Sequence, residues 1–120
     1  GLGGHVVQGK GSGREQLVRD ALAVEKAGAF AVVIEMVPED VAREISQALS
    51  IPTIGIGAGP HTDGQILVWT DLAGLSTSRV PRFVKQYANL EKDLHSAVST
   101  WIAEIDSGEF PGPEHSFRDD

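Results

Sequence analysis

Phe30-Ala-Val-Val-Ile-Glu-Met-Val-Pro38, followed one helix-like stretch later by Ile51-Pro-Thr-Ile-Gly-Ile-Gly-Ala-Gly59, decides the fold. Each is a short apolar run ending in a residue that does not belong to a core: Glu35 in the first, a chain of glycines in the second. Strand, helix, strand is the βαβ pattern of a parallel sheet, and in such folds chemistry collects beyond the carboxyl ends of the strands. Glu35 and the Gly57-Ala58-Gly59 loop then stand on one rim. An isolated carboxylate beside so much apolar surface is costly unless paired, hydrated or bound to a ligand. Position alone leaves two readings open, a functional group or the plain end of a strand turning into solvent.

Working outward, Gly9-Lys-Gly-Ser-Gly13 is a turn after a short extended piece over His5 to Gln8. Ser12 and Glu15 have capping-box spacing, and Leu17, Val18, Ala21, Leu22 and Val24 supply the apolar face of a helix from about Gly13 to Ala27, closed by Gly28. The next strand runs from Phe30 to Glu35, apolar enough for cover on both faces. Pro38 suits the first turn of a second helix, with Glu39 and Asp40 at its positive end and a stripe of Val41, Ile45, Ala48 and Leu49. Pro52 begins a strand through Ile56, and Pro60 to Gly64 form a turn. Ile66 to Thr70 reads as another strand or the first turn of a helix, and the strand is favoured since Ile, Val, Trp and Thr suit a pleat. Pro81 is expected to open a helix with Phe83, Val84 and Tyr87. Leu94, Val98, Trp101, Ile102 and Ile105 make the packing stripe of a long last helix ended by Gly108. Residues 108–120 are an irregular tail whose Phe110 and Phe117 suggest docking. The whole chain, residues 1–120, reads as one partial domain: three or four strands are too few to close a barrel, and the missing ones must come from elsewhere unless the domain is a small open sheet.

Composition narrows the function classes. A net charge of −7 with no basic stripe argues against nucleic acid, and no apolar run approaches a bilayer span or a secretory signal. A cytoplasmic protein is the default expectation, and the opening Gly1-Leu-Gly-Gly, without an initiator methionine, reads as a piece of a larger protein. Absence of cysteine excludes disulfides and thiolate metal sites. His5, His61, His95 and His115 are not spaced as a metal cluster, so no metal ligand is assigned. Gly4-His-Val-Val-Gln-Gly-Lys10-Gly11 comes near a phosphate-cradling loop, but Gly11 stands where a Ser or Thr should hold magnesium. Gly55, Gly57 and Gly59 lack the directly following helix of a dinucleotide loop; close backbone approach to a ligand or a neighbouring strand end fits them better.

Taken together, Ala27 to Pro38, Ile51 to Gly59, Asp63-Gly-Gln-Ile-Leu-Val-Trp69 and Phe110-Pro-Gly-Pro-Glu-His-Ser-Phe117 closely resemble the carboxy-terminal half of the ketopantoate hydroxymethyltransferases. Gly3-Gly4 and Val7-Gln-Gly-Lys10 also fit that family. The resemblance implies an α/β fold, the carboxy-terminal half of a (β/α)8 barrel of the phosphoenolpyruvate mutase/isocitrate lyase type. It implies transfer of a one-carbon unit from 5,10-methylenetetrahydrofolate to 3-methyl-2-oxobutanoate, giving 2-dehydropantoate for pantothenate and coenzyme A synthesis, by a homo-oligomeric enzyme. Glu35 matches the family's proposed general base, in its Glu-x-Val-Pro motif. The Mg2+ ligands lie in the family's amino-terminal half, which is thus the implied partner, and the isolated chain is expected to be inactive. Proton removal beside a ketone needs a base against apolar walls and a cation for the developing enolate, of which only the base is visible here. Gly57, Ala58 and Gly59 are the expected substrate-binding backbone. A non-catalytic structural half, or another magnesium-dependent 2-oxo acid lyase of the same superfamily, remain as alternatives.

Overall fold

The computed structural model describes residues 7–11 and 13–119; the expectations resting on Gly3, Gly4, His5 and Ser12 lie outside them. Helix α1 spans Gly13–Lys26, strand β1 Val32–Glu35, helix α2 Glu39–Ala48, strand β2 Thr53–Ile56 and strand β3 Gly64–Gln65. Helix α3 follows over Trp69–Ala73 and α4 over Leu90–Ser107, before a single 3-10 turn at Pro113–His115. The sheet is parallel in the order β1-β2-β3, with Val33 opposite Ile54 and Glu35 opposite Ile56. The α/β alternation and the small parallel sheet fit part of a barrel wall.

The core lies on one face of the sheet. Ile34 packs with Ala21 of α1 and with Val41, Ala42, Ile45 and Leu49 from α2 and its end. On α2 the buried alanine is Ala42, alongside Val41 and Ile45, whereas the expected Ala48 is exposed. Polar ties hold the layer in register. Arg14 reaches across from α1 to Asp40 and Glu44 of α2, each at 2.7 Å. The Glu25 carboxylate accepts the Ser50 and Ile51 amides at 2.6 and 3.1 Å, which holds its pKa below the ordinary range and fixes the entry to β2. Gly28, at φ 101°, closes α1 in the left-handed conformation that a cap requires.

The opposite face is bare. The strand expected from Phe30 starts two residues later, leaving Phe30 91% exposed, and Val33 is 53% exposed beside a buried Ile34. Cover on both faces is therefore not supplied by the described residues: alternate β1 side chains point away from the helices, as a barrel wall points them inward.

Three further expectations need correcting. The third strand is not Ile66 to Thr70 but Gly64–Gln65, and Trp69 and Thr70 begin α3. Its start is set by tertiary pinning, not β propensity: the Asp63 carboxylate accepts the Thr53 amide at 2.8 Å and the Thr53 hydroxyl at 3.1 Å, fastening the chain to the start of β2. Pro81 opens only one turn, closed by Val84 N–H to Pro81 O at 3.0 Å. The amides of Tyr87 and Ala88 then go to Leu72 O at the end of α3, so no helix can continue. Finally, the α4 stripe forms, and Gly108 caps it at φ 82°, but none of its residues is buried. Trp101 and Ile102 are each 50% exposed.

That helix explains the shape of the molecule. Its radius of gyration is 23.0 Å, against about 14 Å for a compact chain of this length. The longest dimension is 71 Å. Phe110 stacks at a tilt on His115, with centroids 5.1 Å apart, while Phe117 is fully exposed.

Asp63 yields a prediction. Its pKa is held below the ordinary carboxylate value, first by the Thr53 amide and then by the Thr53 hydroxyl. A depressed folded pKa contributes stability above the unfolded value and loses it as pH falls through the folded one. In the complete protein, Asp63→Asn should flatten the fall in denaturation midpoint between about pH 5 and pH 3. An unchanged acid limb would show that Asp63 does not anchor β3.

Candidate functional site

Glu35 is the last residue of β1, in register with Ile56 at the end of β2. It is exposed, on the same uncovered face as Val33. Among the described residues no side chain hydrogen-bonds to it. The next residue, Met36, has φ 50°, a left-handed conformation that costs a non-glycine side chain about 1–3 kcal/mol. Two backbone hydrogen bonds hold it there: Met36 N–H donates to Ile56 O at 2.9 Å, and Gln8 N–H donates to Met36 O at 2.8 Å. The chain thus turns sharply just past the carboxylate and enters α2 through Val37 and Pro38.

The glycine loop lies beyond β2, on the same end of the sheet. Gly57 and Gly59 have φ of 65° and 76°. What each glycine admits differs from the expectation of a bare approach to ligand. A Cβ on Gly57 would sit 2.7 Å from the Phe83 ring, and one on Gly59 would collide with Glu39. Ala58 between them is fully buried in the core. These residues therefore bring β2, the start of α2 and the 75–89 segment together, and only the loop backbone is left to face a ligand.

An open cleft of about 1410 Å³ runs along this rim. Its walls include Met36, Pro38 and Glu39 on one side, Gly57, Gly59 and Gln65 on another, and Arg79 through Phe83 across the mouth. Glu35 does not line it but adjoins it through Met36. The Gln65 amide donates to Gly59 O at 2.8 Å and to the Thr62 hydroxyl at 3.1 Å, which stiffens the glycine loop from the β3 side. Sequence reasoning missed Arg79, Arg82 and Phe83. The available signal was a pair of arginines flanking Pro81 in a chain of net charge −7.

Among the described residues no group of three or more His, Asp or Glu could hold a metal ion. His61 is engaged with Arg43 at 2.7 Å and His115 with the Gly112 amide at 3.1 Å. The described residues do not fit a magnesium site.

Comparison with known proteins identifies the lineage of this rim. The family model for ketopantoate hydroxymethyltransferase matches residues 1–113, spanning Glu35, the glycine loop and the arginines. The chain belongs to the ketopantoate hydroxymethyltransferase family. It is 67% identical over 117 residues to a 3-methyl-2-oxobutanoate hydroxymethyltransferase of Leifsonia xyli subsp. xyli, covering 98% of this chain and 42% of that relative. Identity to the protein of the same description in Corynebacterium glutamicum is 58%, over 97% of this chain and 43% of the relative. For Saccharopolyspora erythraea the identity is 54%, over 98% and 40%. The chain thus spans about two-fifths of the length of these curated relatives. No helix among the described residues is long and apolar enough to cross a membrane.

Proposed function

We propose that this chain forms the carboxy-terminal part of a (β/α)8 barrel of the phosphoenolpyruvate mutase/isocitrate lyase type, and that the complete enzyme transfers a hydroxymethyl unit from 5,10-methylenetetrahydrofolate to 3-methyl-2-oxobutanoate, giving 2-dehydropantoate. The observation that carries this reading is the family match through the rim, with Glu35 at the carboxyl end of β1 on the face the helices leave open. Glu35 removes the C3 proton, C3 forms the new carbon–carbon bond to the one-carbon unit, and water supplies the hydroxyl oxygen as tetrahydrofolate leaves. Val33 and Ile54, paired across β1 and β2, belong to the apolar wall beneath the carboxylate. Gly57 to Gly59 offer backbone to the substrate end of the cleft. Magnesium ligation belongs to the amino-terminal half, and no step is assigned to it here. The enzyme is a cytoplasmic homo-oligomer in this reading, with residues 108–120 docking on the rest of the barrel or on a neighbouring subunit.

The complete enzyme should exchange the C3 hydrogen of 3-methyl-2-oxobutanoate with deuterated solvent without folate, and form 2-dehydropantoate once the folate is added. Absence of both would overturn the reading. A separate expectation concerns Gly57. Valine there must accept a left-handed backbone and displace Phe83, so Gly57→Val should lower kcat/KM by about 10- to 100-fold through misplacement of the rim. Unaltered kinetics with a lowered Tm would show that this glycine serves packing alone.

A further inference from the structure

The cleft is far larger than a five-carbon oxo acid requires, and its mouth carries charges the rest of the molecule does not explain. Of the other arginines, Arg14 is engaged with Asp40 and Glu44, Arg19 with Gln16 and Arg43 with His61, while Arg118 lies in the exposed tail, away from the cleft. Arg79 and Arg82 line the cleft, are exposed, and have no ion pair or hydrogen-bond partner among the described side chains. Glu39 lines the same cleft without pairing to either. Lys85, three residues on, is by contrast taken up over the Tyr87 ring at 4.9 Å.

The two arginines are also held in place. Pro81 stands between them, the Val84 amide closes a turn onto Pro81 O at 3.0 Å, and the Phe83 ring seats against Gly57. Further along, Tyr87 N–H donates to Leu72 O at 2.8 Å. The segment is thus tied to the β2 loop through Phe83 and to the end of α3 through Tyr87, while its guanidinium groups have no side-chain partner among the described residues. Free guanidinium forks in a protein of net charge −7 form a local site for an anion, and their planar, bidentate geometry suits carboxylates.

We propose that Arg79 and Arg82 bind the carboxylates of the glutamyl tail of the folate co-substrate, with the cleft running from that tail to the one-carbon end beside Met36 and Glu35. This rests on the folate-dependent reading above and adds to it a residue-level subsite. The 3-methyl-2-oxobutanoate carboxylate belongs at the opposite end, since it must lie within reach of Glu35 and not at the mouth.

The test uses the complete enzyme with three co-substrates: 5,10-methylenetetrahydrofolate, its triglutamyl form, and 5,10-methylenetetrahydropteroate, which lacks the glutamyl group. Arg79→Gln and Arg82→Gln should each raise KM for the folate by about tenfold, and the double variant by about 30- to 100-fold. The advantage of folate over pteroate should collapse in the double variant, and Arg79→Lys with Arg82→Lys should restore part of it. Both positions are exposed in this chain, and denaturation midpoints matching the wild type check that the variants fold. An equal KM rise for folate and pteroate, a rise confined to 3-methyl-2-oxobutanoate, or no change would each overturn the proposal while leaving the transferase reading intact. A wild-type enzyme that makes no 2-dehydropantoate with any folate would instead overturn both.

Discussion

Glu35→Gln in the complete enzyme is expected to slow exchange of the C3 hydrogen of 3-methyl-2-oxobutanoate with solvent by about 10²- to 10⁴-fold, the usual loss on deleting a positioned base. Glutamine preserves the shape and leaves the β1–β2 pairing intact, because that pairing is made by backbone: Met36 N–H to Ile56 O stays at the rim whatever side chain precedes it. The exposure of Glu35 in this chain means that the substitution costs little stability of its own. Measuring exchange without folate isolates enolisation from carbon transfer. Should the variant exchange at the wild-type rate with substrate saturating, the base lies elsewhere in the barrel. Glu35 would then be left to orient water or substrate.

The second large effect is expected on separating the chain from the rest of the domain. Alone, it should show no hydroxymethyl transfer, and its unfolding should lack a sharp cooperative transition. The reasons are geometric. Among the described residues one face of β1 has no cover, and α4, about 27 Å long, buries none of its Leu94, Val98, Trp101, Ile102 and Ile105 stripe. A helix with such a stripe gains its stability mainly from tertiary packing of that face. Adding the amino-terminal half should sharpen unfolding, reduce the radius of gyration per residue and restore transfer. A monomeric isolated chain with a well-dispersed spectrum and cooperative unfolding would count decisively against the half-barrel reading. Solution scattering with and without the missing half is the least demanding form of the experiment.

The corrected elements share a cause. Where local chemistry and tertiary demand agreed, as for α1, α2, β2 and the Gly108 cap of α4, residue patterns located the element to within two residues. Around residues 64 to 89 they disagreed. Ile66, Val68 and Trp69 favour a strand by propensity, yet Asp63 is pinned to Thr53 and the paired segment falls earlier. Pro81 can start a helix, yet Phe83 is drawn onto Gly57 and the following amides are claimed by Leu72. Competition from partners distant in sequence leaves no local trace.

What the sequence determined by itself is the βαβ alternation and the placing of Glu35 and the glycine loop on one rim. Apolar runs, caps and turn residues act over a few positions, so their physics is written into neighbouring letters. Only the tertiary structure decided that Gly57 and Gly59 make room for Phe83 and Glu39, that Met36 turns left-handed just past the carboxylate, and that Arg79 and Arg82 reach the cleft. Those outcomes depend on which side chains meet across the fold, and steric exclusion between residues far apart in the chain is settled only when the chain has folded.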